Sequence, residues 1–83
     1  MDRKERLKKI KSELLDFERC LNEAEGNVEV AFNRWLESWR LLGVVEAVGY
    51  WVNMGWAEKE VRKELREMYR MIDEELRRIE AEG

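Results

Sequence analysis

Eighty-three residues with a net charge of −3, 42% of them Asp, Glu, Lys or Arg, describe one small domain with a thin core, for which association often helps. Pro, His, Thr and Gln are absent, so every internal segment favours helix and nucleophile-plus-base or imidazole metal chemistry has no parts. A single cysteine excludes an internal disulfide, and the acidic balance argues against a dedicated phosphate-backbone binder.

The first segment repeats Leu7, Ile10, Leu14, Phe17, Leu21 and Ala24 at steps of three and four, with charged residues filling most of the rest. This is a heptad seam, and it predicts a helix over residues 3–25. Cys20 lies beside the stripe as a small half-buried hydrophobe. Gly26 suits a left-handed helix terminus and Asn27 can cap the second helix, so the link is short and that helix folds back antiparallel.

The second segment, expected as one helix over 28–53, begins with Val28, Phe32, Trp35, Trp39 and Leu42 on one stripe. All four tryptophans fall between Trp35 and Trp56, where charge nearly vanishes. From Leu41 to Val52 the chain is apolar nearly all round, which implies cover on every side, more than neighbouring helices of one small chain provide. Gly43 and Ala47, four apart, form a shallow face where a second helix can approach. Gly43 is also the residue best suited to break this segment in two, because a glycine within a helix costs about 1 kcal/mol. Uninterrupted, the helix would be about 39 Å long at 1.5 Å per residue.

Asn53-Met54-Gly55 reads as the next stop. A third helix is expected over 57–81, with Glu58 and Glu60 in the first turn, where acids suit the helix dipole. Val61, Leu65, Met68, Ile72, Leu76 and Ile79 form its stripe. Glu58/Arg62, Asp73/Arg77 and Glu74/Arg78 are spaced as favourable i,i+4 pairs.

Candidate chemistry is sparse. Only Ser12 and Ser38 carry hydroxyls of the nucleophilic kind, and Asp and Glu alone remain as metal ligands, on a solvated surface. No catalytic residue, cofactor or metal is expected. Glu46 breaks the pattern of its neighbourhood: it faces solvent or bonds Tyr50 or an Arg at a subunit edge, or it is a buried polar contact that fixes the register of a partner helix. Residues 1–11 hold six Lys/Arg against two acids, and Arg62, Arg66 and Arg70 line up at i,i+4. A nucleic-acid contact there is the alternative reading, weakened by the interleaved Glu58, Glu60, Glu64 and Glu67. A helix-turn-helix over Tyr50 to Glu64 fails because Trp51 stands where the crossing helices need a small residue. Attachment to a membrane surface is a further alternative, although the run from Leu41 to Val52 is too short to span and contains Glu46. The first six residues do not read as a signal peptide, so the expected location is the cytoplasm. Abundant Glu, Lys and Arg with few amides is a hyperthermophile pattern.

The sequence therefore leads to an all-α, up-down-up three-helix bundle that forms a homodimer. Its function is expected to be non-catalytic interaction or assembly, with a heterologous protein partner as the other use of the same surface. The expected interface is Trp39, Leu42, Val45, Glu46, Val48, Trp51, Val52 and Trp56, and replacing Val48 and Trp51 by Glu and Lys should give a monomer or an unfolded chain.

Overall fold

The computed structural model describes residues 1–83, and it is all-helical: α1 (Arg3–Glu23), α2 (Val28–Trp35), α3 (Leu42–Asn53) and α4 (Glu58–Glu82). Helix α1 starts on Asp2, whose carboxylate accepts the Glu5 N–H at 2.8 Å. It stops at Gly26, which takes φ +85° and donates its N–H to the Leu21 carbonyl at 2.9 Å. Asn27 then caps α2, accepting the Val30 N–H at 3.0 Å, as its position after the glycine implied. Gly55 makes the corresponding left-handed stop after α3, at φ +70°.

The helix expected over 28–53 is two helices. The chain leaves α2 after Trp35 and re-enters a helix at Leu42, so residues 36–41 form a reversal. Gly43 is not the breaker; it lies inside the first turn of α3. The reversal follows from where the apolar stripes have to go. In a continuous helix Trp35 and Trp51 would lie about 24 Å apart along the axis, too far for both to reach one residue of α1. Folding back lets Trp35 and Trp51 both pack on Phe17 of α1, with ring centroids 5.6 and 6.2 Å apart.

The extra reversal also changes the direction of the last helix. In an up-down-up course it would run parallel to α1, but α4 runs antiparallel to it. Arg62 bonds Asn22 (2.7 Å), Tyr69 bonds Glu18 (3.3 Å), Lys11 pairs with Asp73 (2.7 Å) and Arg3 with Glu75 (2.6 Å). Partner numbers fall along α4 as they rise along α1. Helix α1 is the central element, packing on all three others, whereas α4 meets α2 and α3 only at isolated points. The molecule measures 40 × 24 × 21 Å, its length set by α4 at about 38 Å. The pair α2–α3 covers only part of that length.

The core is Leu14, Phe17, Cys20 and Leu21 of α1, Ala31 and Trp35 of α2, Val44, Val48 and Trp51 of α3, and Val61, Leu65 and Ile72 of α4. Leu14, Phe17, Leu21, Trp35, Val61, Leu65 and Ile72 come from the apolar stripes of their segments, whereas Trp39 and Leu42 of the second stripe lie outside the core. No helix is long and apolar enough to cross a membrane.

Candidate interaction surface

The surface is built outward from the reversal at residues 36–41, which is pinned at three points. The Trp35 indole N–H donates to the Glu13 main-chain carbonyl at 2.8 Å, in the buried interior. Arg40, its side chain only 7% exposed, lays its guanidinium over the Trp35 ring at 5.1 Å. That guanidinium donates Nε–H to the Trp35 carbonyl at 3.0 Å and Nη1–H to Asp16 at 2.9 Å. Finally, the carboxylate of Glu13, fully buried, accepts the Leu41 N–H at 3.0 Å, with Lys9 Nζ at 3.6 Å.

These contacts solve a capping problem. Leu41 is the N-cap of α3 and has no side chain with which to cap it. Glu13 supplies an acceptor from α1, and its negative charge sits at the positive end of the α3 dipole. With Arg40 and Leu41 both fastened inward, the residue just before them projects outward. Trp39 is 74% exposed and Leu42 is 72% exposed.

Helix α3 continues this surface. One face, Val44, Val48 and Trp51, is buried in the core. The outward face holds Gly43, Ala47, Tyr50 and Met54, at steps of four, three and four, beside Leu42 and Glu46. Glu46 is exposed and is the only charged residue in α3. A helix of twelve residues with a single charge therefore presents a weakly solvated face to the outside.

This redistributes the eight residues expected at an interface. Trp39, Leu42 and Glu46 are exposed and adjacent at the start of α3. Val45, Val52 and Trp56 are half-buried, and Trp56 stacks on Trp51 with centroids 6.1 Å apart and rings 7° from parallel. Val48 and Trp51 belong to the intramolecular core, because the reversal turns their stripe towards Phe17. Tyr50, 6.2 Å from the Trp56 ring in an edge-on contact, and Met54 were missed. Their outward repeat with Gly43 and Ala47 is visible in the sequence once α3 is known to begin at Leu42.

Between α3 and α4 lies an apolar cleft of about 270 Å³, lined by Ile10, Leu41, Gly43, Val44, Ala47 and Met68, with Arg6 at its rim. A methyl group placed on Gly43 would meet nothing within 4 Å, so this wall is open.

The arginine stripe of α4 is largely engaged with acids. Arg62 binds Glu58 and Asn22, each at 2.7 Å. Arg70 sits against Glu67 and reaches Glu74 at 2.7 Å; the Arg70 hydrogen bonds hold the Glu67 carboxyl below the usual carboxylate range. Arg66 alone of the three is exposed without an ion partner. No group of three or more Cys, Asp or Glu side chains converges where it could hold a metal ion. No family model, curated protein or solved structure matches the chain.

Proposed function

We propose that this chain is a non-catalytic interaction and assembly protein, a small helical bundle that pairs with itself through the outward face of α3 and the reversal before it. The single observation behind this reading is that Trp39 and Leu42, 74% and 72% exposed, stand at the head of a helix face with one charge. Their exposure is structural, because Arg40 and Leu41 between them are fastened to α1. Covering a large apolar side chain in an interface returns roughly 1.5–3 kcal/mol before the costs of association. Tryptophan is among the residues on which interface binding energy concentrates.

The test is a double substitution, Trp39→Ser with Leu42→Ser. Neither side chain belongs to the core, so far-UV circular dichroism should stay unchanged. On a calibrated sizing column the parent should elute at the volume of a pair and the variant at that of a single chain. A variant that elutes with the parent would remove these two residues from the interface.

A further inference from the structure

From Leu41 to Glu58 the chain contains no Lys or Arg, and the charged residues of that stretch are Glu46 and Glu58. Glu58 is bound by Arg62 at 2.7 Å, whereas Glu46 is exposed and has no ion partner. The last base before this stretch, Arg40, is turned inward onto Asp16. Glu37, in the reversal, is exposed and unpaired as well. The exposed apolar residues Trp39, Leu42, Tyr50 and Met54 are thus accompanied by acids alone. The neighbouring wall of α4 has the same sign. Trp56, in edge-on contact with Tyr50, borders a hollow of about 480 Å³ lined by Glu60, Lys63, Glu64 and Glu67. Glu60 and Glu64 have no ion partner, and Lys63 is the one base of the hollow. Arg70 holds Glu67 but is shared with Glu74, so the acids remain in excess. The apolar cleft by Gly43 is a separate hollow whose rim carries one base, Arg6. Arg6 shares the start of α1 with Asp2 and Glu5, and the other bases there, Arg3 and Lys4, pair with Glu75 and Glu80.

We infer that this face takes a basic amphipathic helix of another protein, its apolar side on Trp39, Leu42, Tyr50 and Met54 and its Lys or Arg residues against Glu46 and Glu64. This rests on the reading of the face as an interface and names a partner for it. Leu42 to Met54 is about 18 Å of helix, so a partner helix of roughly 12 residues matches it in length. A second copy covers the apolar residues but brings two acidic faces together. A basic helix satisfies both the apolar residues and the acids, and it therefore displaces the self-pair. Nucleic acid and an anionic lipid surface are repelled by the same acids.

The probes are two labelled synthetic peptides of about 14 residues with leucine at helical spacing, one filled with lysine and one with glutamate. Binding is read by fluorescence anisotropy. The lysine peptide should bind saturably and the glutamate peptide should not, and raising the salt should weaken the lysine complex. Glu46→Lys with Glu64→Lys should weaken the lysine peptide at least about tenfold and admit the glutamate peptide. Glu80→Lys with Glu82→Lys makes the same change in net charge about 18 Å or more beyond Met68 along α4, and should bind as the parent does. Trp39→Ser with Leu42→Ser should weaken the lysine peptide too; unchanged binding there would overturn the placement on this face. A lysine peptide that fails to bind, or that is lost equally from the two charge-reversed variants, would overturn the inference. Molar mass without peptide reads self-pairing separately. A dimer that ignores the lysine peptide would overturn the basic helix and leave a second copy as the occupant, whereas a monomer that binds it would overturn self-pairing alone.

Discussion

Glu13 holds the start of a helix to which it does not belong. Its carboxylate is wholly buried, accepts the Leu41 N–H, and has Lys9 as its nearest cation. Its main-chain carbonyl meanwhile receives the Trp35 indole N–H. Removing the acceptor leaves a partly buried N–H unsatisfied, which costs about 2–3 kcal/mol where the lost partner is charged. Glu13→Ala should therefore lower the urea midpoint strongly. Glu13→Gln, which keeps a carbonyl for Leu41, should cost roughly 1 kcal/mol by the same reasoning. Equal losses in the two variants would mean that charge, and not capping, is what Glu13 contributes. Tyr69 sets a limit at high pH. Burial first, and then the neighbouring Glu18 carboxylate, push its phenol well above the ordinary value of 10.0. The neutral form is favoured in the folded chain, so its stabilisation is complete below pH 10 and declines as the pH rises beyond it. Alkaline unfolding, followed by circular dichroism, should be blunted in Tyr69→Phe; an unchanged alkaline limb would show that other groups set it.

At the scale of the elements, the central event is the reversal at residues 36–41. The seam of α1, the Gly26–Asn27 stop, the Gly55 stop and the stripe of α4 were all legible, because each depends on local spacing or on a residue with a special conformation. The reversal was not. Residues 36–41 read Leu-Glu-Ser-Trp-Arg-Leu, with neither Pro nor Gly, so nothing local forbids a helix through them. What breaks the helix is tertiary: the Arg40 guanidinium against Trp35 and Asp16, Glu13 on Leu41, and space on α1 for two apolar stripes. The same event explains why Val48 and Trp51, expected at an interface, are core residues. Replacing them by Glu and Lys should unfold the chain, since each polar group would enter a packed interior. A folded monomer from that double variant, judged by a cooperative thermal melt, would contradict the core assignment. The outward face was half legible: Trp39, Leu42 and Glu46 stood out in the sequence. The contribution of Tyr50 and Met54 depends on where α3 begins.

For the molecule as a whole, the long α1–α4 pair and the shorter α2–α3 pair leave different amounts of surface covered. The charged outer faces of α1 and α4 are laced by ion pairs such as Lys11–Asp73 and Arg70–Glu74, with Leu15 and Met71 as their exposed large apolar residues. The outward face of α3 has no such pairs, and the groove beside it is floored by Ile10 and walled by Gly43 and Ala47. A contact made by the apolar residues of this face should hold or tighten as the salt is raised, whereas one made by exposed ion pairs would weaken. Self-association itself is tested most directly by the absolute molar mass of the parent chain, measured by light scattering at two protein concentrations. One chain is 10.1 kDa. We expect twice that mass at the higher concentration, falling towards a single chain only on dilution; a mass of one chain at both concentrations would contradict it.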